Sequence, residues 1–301
     1  MTQSLDASVL RARPLPQPGA HSDKEQRGRV LVIGSSRRVP GAALLSGTAA
    51  LRAGAGKLQL AVPQSLAAAI GAAMPESGII GLGETRQGDP KCDARLERAA
   101  IAADCILIGP GLMAEYQAHD MARRVLEAKV NAGVILDAAA LQRAPAMKGA
   151  LAKCKGRVVL TPHAGEMASL LGIEKEQVEA EPDRIARDTA RELGCVIALK
   201  GATTFIADPG GAVWRNDHGS VGLGTSGSGD VLAGIIAGLA ARGASILDAT
   251  LWGVFVHAEA GKRLSERVAT LGFLARELLP EIPRILEGIA SPEAAGSGAV
   301  E

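Results

Sequence analysis

Polar and apolar positions along the chain fall into two kinds of run. Short blocks of consecutive apolar residues recur at 29–34, 57–62, 78–82, 104–109, 133–137, 157–161 and 195–200. Between them lie stretches with spaced apolar residues, at 41–54, 94–103, 121–129 and 183–193. Unbroken apolar strands alternating with helices predict an α/β fold with a mainly parallel sheet covered on both faces. The rhythm changes after Lys200. Segments 203–207 and 212–215 flank Asp208-Pro209-Gly210-Gly211, a hairpin signal. From Gly227 onward the pattern is helical, over 228–242, about 246–264 and about 271–279. Residues 1–27 are polar and proline-spaced and read as an N-terminal lead-in. Residues 28–288 read as one α/β domain, and 289–301, small and polar, as a disordered tail.

Composition sharpens this picture in one respect. Hydrophobic residues make up 47% of 301, yet aromatic residues only 2%, against 37 glycines. The core is therefore built from Ala, Leu, Ile and Val, which suits close helix–sheet packing. A formal net charge of +1 gives no electrostatic reason to expect nucleic acid or a membrane surface as partner. No segment reaches the roughly 18 apolar residues of a membrane span, and no hydrophobic signal segment opens the chain. Cys92, Cys105, Cys154 and Cys195 are scattered, without CxxC or metal spacing, so reduced thiols in a cytoplasmic protein are expected.

In open α/β sheets, ligands sit beyond the C-terminal strand ends. At those ends this sequence places Gly109-Pro110-Gly111, then Asp137, then His163-Ala164-Gly165-Glu166, then Lys200-Gly201-Ala202-Thr203-Thr204. Each has a local alternative: a plain turn, a helix cap, a satisfied loop histidine. Together they put polar groups on the same rim as Gly222-Leu223-Gly224-Thr225-Ser226-Gly227-Ser228-Gly229-Asp230, which feeds an apolar helix. The free N–H groups and positive dipole end of such a helix make an anion site. Asp230 serves there either as a cap or as a base beside a phosphoryl-transfer centre. The stretch also matches GxGxxG, with Asp248 about twenty residues on. It lacks a buried strand immediately before it, however, and Asp248 falls in a helical pattern, so a dinucleotide-fold reading is poor. No Lys follows the glycines, which excludes a Walker A loop.

A glycine-rich turn with an immediate Asp on a late helix resembles the ribokinase-like kinases. Residues 46–57, Gly109-Pro110-Gly111, 136–141, 161–166, 200–204 and 227–234 appear in an order that resembles the ADP/ATP-dependent NAD(P)H-hydrate dehydratases over roughly 28–285. The resemblance implies a ribokinase-like three-layer α/β/α fold and a metabolite-repair reaction. The S form of hydrated NADH or NADPH is phosphorylated on its ring hydroxyl, and phosphate elimination restores the dihydropyridine. It further implies a substrate pocket with Ala42, Gly111, His163 and Asp230, and a nucleotide site of Lys200, Gly201, Ala202, Thr203, Thr204 and Gly229. Asp230 is then the base, with the N–H groups of Gly227, Ser228 and Gly229 as anion hole and Asp137 and Glu166 in support. ADP or ATP is the donor, Mg²⁺ bridges its phosphates, and a homotetramer is expected. Ala164 and Ala139 depart from the family pattern, which usually carries Pro and a second acid there. Two other readings remain open at this point: a kinase of a vitamin-precursor hydroxymethyl group, and a non-catalytic nucleotide-binding protein.

Overall fold

In the computed structural model, which describes residues 2–17, 19, 23–128 and 131–290, every one of these apolar blocks contributes a strand. The chain runs β1 (Thr2–Ser4), α1 (Ala7–Arg11), β2 (Arg29–Ile33), α2 (Ala42–Arg52), β3 (Lys57–Pro63), α3 (Ala67–Ala73), β4 (Ser77–Leu82) and α4 (Ala94–Ile101). It continues through β5 (Cys105–Ile108), α5 (Glu115–Glu127), β6 (Gly133–Leu136), α6 (Lys148–Lys153), β7 (Val158–Leu160), α7 (Ala164–Leu171), α8 (Lys175–Ala180), α9 (Pro182–Leu193) and β8 (Val196–Leu199). The hairpin β9 (Thr204–Ala207) and β10 (Val213–Asn216) follows, then α10 (Ser228–Ala241), α11 (Ile246–Arg267), α12 (Ala275–Leu278) and α13 (Glu281–Ala290).

All ten strands join one sheet in the order β1-β10-β9-β8-β7-β6-β5-β2-β3-β4. From β8 to β4 every pairing is parallel, and β9 runs antiparallel to both of its neighbours. Side chains on a strand alternate between faces, and here both faces are apolar. Val30, Val32, Cys105, Leu107, Ile135 and Val159 enter one core with α2 and α10–α13. Leu31, Ile33, Ile106, Ile108, Val134 and Leu160 enter the other with α4–α9. The three-layer α/β/α arrangement follows from this two-sided burial.

The helix carrying the glycine-rich motif is apolar all round, and most of its residues are buried. It lies between α2 and α11 on the sheet. A Cβ on Gly234 or Gly238 would come within 2.2 Å of the Ser46 carbonyl or 2.3 Å of the Ala50 carbonyl of α2, so the two helices touch backbone to backbone. This close seating fixes the position of the helix start relative to α2.

Three features differ from the sequence pattern. The lead-in is tied to the sheet: β1 pairs in parallel with β10, Leu5, Leu10 and Leu15 are buried, and Trp252 Nε1 donates to the Arg13 carbonyl at 2.8 Å. The helix expected over 271–279 is a single turn, α12, because Gly272 adopts φ +102° and Glu277 caps the turn by accepting from Leu274 N at 2.6 Å. Helix α5 begins at Glu115 rather than 121, while Lys129 lies outside the described residues. Most of the expected tail, from 291, also lies outside them. No helix among the described residues is long and apolar enough to cross a membrane.

Candidate active site

Because β6, β7 and β8 are adjacent and parallel, the residues just beyond their ends meet. The Asp137 carboxylate, 3% exposed, accepts from Thr161 Oγ1 at 2.7 Å and from Lys200 Nζ at 3.1 Å. Lys200 Nζ also lies 3.9 Å from Glu166 Oε2. Burial works against the Lys200 ammonium, but Asp137, Glu166 and Asp230 together hold it above its ordinary value, so it stays charged. His163 and Glu166 form a reciprocal cap on α7. His163 Nδ1 accepts from Glu166 N at 3.1 Å, and Glu166 Oε2 accepts from His163 N at 2.8 Å. The cap and the site role coexist, since the same turn presents Glu166 to Lys200. Two of the three described non-glycine residues in the left-handed region, Ser35 (φ 62°) and Ala138 (φ 49°), also stand at this rim, after β2 and β6.

The start of α10 faces this cluster. Gly227 adopts φ +87°, and a Cβ there would lie 2.6 Å from Leu45 Cδ1, so only glycine turns the chain into the helix at this distance from α2. Asp230 sits in the first helical turn, yet its carboxylate forms no hydrogen bond with any described residue, and it caps nothing. Burial pushes its carboxyl up to about 7; the Asp137 carboxylate adds to this and Lys200 opposes it. A half-buried acid of this kind, beside a lysine and not spent on structure, is able to exchange a proton near neutral pH.

The expected set of three N–H donors is corrected in one member. Ser228 N donates to the Thr225 carbonyl at 3.2 Å, because the turn entering the helix closes on itself. Among the described residues no acceptor faces the N–H groups of Gly227, Gly229 or Asp230, so the unpaired donors of this turn include the N–H of Asp230 itself. Ser228 contributes its side chain instead. Its Oγ lies 2.9 Å from His257 Nε2, which also contacts the Ser228 carbonyl at 3.1 Å. Burial drives the His257 imidazole down to about 4, a tendency the Ser228 carbonyl resists and Lys200 reinforces, so the ring is neutral at pH 7. A carbonyl only accepts, which assigns the ring hydrogen to Nε2 and leaves the Ser228 hydroxyl hydrogen available to a ligand. His257 lies inside an amphipathic stretch of α11, and no local pattern singles it out in the sequence.

A cavity of about 650 Å³ opens on one side of this turn. Lys200, Gly201, Ala202, Thr204 and Gly229 of the expected nucleotide set line it, as does His163, whereas Thr203 does not. Asn216, Gly219 and Ser220 also line it, and Leu223, Leu232 and Val254 supply apolar lining. Ala42, Gly111 and Asp230 lie outside it, toward α2. There a Cβ on Gly111, whose φ is +70°, would meet Ala42 Cβ at 2.7 Å, which places those two expected substrate residues side by side. The loops forming this second face are latched from behind. Buried Asp89 Oδ1 accepts from Met113 N at 2.7 Å and Ala114 N at 3.1 Å, and Ser35 Oγ accepts from Ala43 N at 3.2 Å. Asp230 thus stands between this cavity and a backbone-lined face.

No group of three or more His, Cys, Asp or Glu among the described residues is disposed to hold a metal. Asp137 and Glu166, both beside Lys200, are the carboxylates that a phosphate-borne ion keeping most of its waters would meet here.

Comparisons with known proteins converge on one family. A family model described as NAD(P)H-hydrate dehydratase matches residues 30–284. The chain is 51% identical over 286 residues to an ADP-dependent (S)-NAD(P)H-hydrate dehydratase of Xanthomonas campestris, covering 95% of this chain and 96% of that protein. It is 38% identical to a bifunctional NAD(P)H-hydrate repair enzyme of Moorella thermoacetica, covering 95% of this chain but only 54% of the relative. Among solved structures, an ADP/ATP-dependent NAD(P)H-hydrate dehydratase of Bacillus subtilis co-crystallised with ATP/Mg²⁺ superposes with a TM-score of 0.78 at 30% identity, over 96% of this chain and 99% of that one. A ribokinase-like superfamily protein of Enterococcus faecalis gives 0.80 at 28% identity, over 97% of both chains.

Proposed function

This chain belongs to the NAD(P)H-hydrate dehydratase family, and we propose that it returns the S form of hydrated NADH and NADPH to the active cofactors, using ADP or ATP as phosphoryl donor. The observation that carries this reading is Asp230: an unpaired, half-buried carboxylate with its proton affinity raised to about 7, at the mouth of an anion-binding helix start.

A ring hydroxyl is a poor leaving group, and phosphorylation makes it a good one. In the proposed reaction Asp230 takes the hydroxyl proton while the oxygen attacks the terminal phosphorus of the donor. The N–H groups of Gly227, Gly229 and Asp230, the Ser228 hydroxyl and the Lys200 ammonium receive the phosphoryl oxygens. The C–O bond then breaks, the adjacent carbon gives up its proton to the departing phosphate, and the hydroxyl oxygen leaves within inorganic phosphate. The balance is hydrate plus nucleotide to reduced cofactor, hydrogen phosphate, the nucleotide shortened by one phosphate, and the one proton that Asp230 took and returns to solvent. The nucleotide occupies the 650 Å³ cavity, and the hydrated ring lies on the Ala42–Gly111 face with His163 at its edge. A magnesium ion arriving with the nucleotide would supply neutralisation of phosphate charge, and Asp137 and Glu166 are the carboxylates that would hold it. The whole activity is assigned to residues 28–288, in a cytoplasmic homotetramer.

The test is direct. Purified protein is incubated with chemically hydrated NADH, Mg²⁺ and ADP or ATP, and the reduced-nicotinamide absorbance is followed. A nucleotide-dependent rise with release of free phosphate is expected, and comparison of the two nucleotides identifies the donor. A stable phosphorylated product without recovery of absorbance would replace this reading with a kinase.

A further inference from the structure

The lining of the cavity includes a polar group that no described residue satisfies. Asn216, the last residue of β10, is 3% exposed and lines the cavity, and its Oδ1 is buried without a hydrogen-bond partner among the described residues. A buried amide oxygen left unpaired is costly to the folded state, and such groups are rare unless a ligand completes them. Its placement is not accidental to the topology. Asn216 pairs in antiparallel register with Thr204, so the two side chains project from the same face, and Thr204 lines the same cavity.

The lining of the cavity combines two chemistries. Lys200, Ser228 and Gly229 make part of it cationic and rich in donors, suited to phosphates. Leu223, Leu232, Val254 and Ala258 give the same cavity an apolar lining that suits a base. Asn216 lines the same cavity and carries the unpaired acceptor. A nucleotide with its phosphates at Lys200 brings to Asn216 either the exocyclic amino group of its base or a ribose hydroxyl, and both are hydrogen-bond donors.

We propose that Asn216 is a specificity residue for the nucleoside half of the donor nucleotide, its side-chain oxygen accepting a hydrogen bond that the cavity otherwise leaves unmade. This rests on the reading that the cavity holds the nucleotide, and the test is therefore made on binding alone. Isothermal titration calorimetry measures ADP, 2′-deoxy-ADP, 3′-deoxy-ADP and IDP against the wild-type protein, Asn216→Ala and Asn216→Asp.

The wild-type protein is expected to bind at least one analogue about 10-fold more weakly than ADP. Loss with a deoxy analogue identifies the ribose, and loss with IDP identifies the base amino group. Asn216→Ala is expected to bind ADP about 10-fold more weakly and to lose that discrimination, whereas Asn216→Asp, which keeps an acceptor, retains it. Equal wild-type affinity for all four nucleotides overturns the proposal, as does Asn216→Ala with its discrimination intact. If Asn216→Ala does not fold, the wild-type series and Asn216→Asp still decide. Failure of the wild-type protein to bind ADP at all removes the nucleotide reading of the cavity, whereas normal ADP binding without discrimination removes only the role of Asn216.

Discussion

The two sides of the α10 start are built by different means. On the cavity side, the walls come from the β9–β10 hairpin, the loop after β10 and α11, and polar side chains line it: Lys200, Asn216, Ser228 and His257. On the α2 side, the Ala42–Gly111 face comes from loops after the adjacent strands β2 and β5, and its shape is set by backbone. Gly111 at φ +70° abuts Ala42, Ser35 is held left-handed, and Asp89 pins the loop ahead of α5 from a fully buried position. The difference teaches where selectivity and shape reside. On the proposed reading, side chains choose the donor on one side, and backbone moulds the seat of the hydrated ring on the other. Substitutions on the two sides should therefore move different kinetic constants, with Asp230 between them moving turnover.

The largest expected effect is at that boundary. Asp230→Asn keeps the shape and removes the base, so kcat should fall by at least about 10²-fold while ADP affinity measured by calorimetry is preserved. Turnover surviving in this variant would dismantle the division. Next is Lys200→Met, which deletes the cation shared by Asp137, Glu166 and the phosphate end of the cavity. The nucleotide KM is expected to rise roughly 10- to 100-fold, the range for hydrogen bonds to a charged group, with a much smaller change in hydrate KM. Equal changes in both constants in a steady-state analysis would mean that the two sides are not separate. On the opposite side, Asp89→Asn weakens the pin on Met113 and Ala114. A rise of about 3- to 10-fold in hydrate KM is expected, with nucleotide KM unchanged.

The same contrast explains what could be read from sequence. The meeting of Gly111 with Ala42 and of Asp137 with Lys200 was legible because these residues follow strands directly: a parallel sheet brings neighbouring strand ends together, and locating the apolar runs locates those ends. The glycine-rich turn was legible because Gly227 and its neighbours are chemically unusual. His257 and Asn216 were not. Each is a single polar residue in an ordinary-looking helix or strand, brought to the cavity by the packing of α11 on α10 and by the register of β9 with β10. The engagement of the Ser228 N–H was hidden too, because whether a glycine-rich turn closes on its own Thr225 carbonyl depends on φ and ψ values that composition does not specify. Capping was legible only as an alternative to function, whereas His163 and Glu166 cap α7 while Glu166 still faces Lys200.

The smallest expected effect concerns stability and runs against activity. Asp230 must be ionised to accept a proton, so kcat/KM for the hydrate should rise with pH through about 7. The folded state, however, favours the protonated form, since burial lifts the group from 3.8 to about 7. An acid whose folded value is raised contributes stability that is full below the unfolded value of 3.8 and is lost as pH climbs through about 7. The ionised, active form of Asp230 is therefore the destabilised one. Asp230→Asn removes the ionisation, and Asp137 and Glu166 remain to hold Lys200. The variant's thermal midpoint relative to wild type should thus be higher at pH 8 than at pH 4, by about 2 °C or more. A midpoint difference that does not change between the two pH values would show that the carboxylate sits in water rather than at the boundary between the two sides.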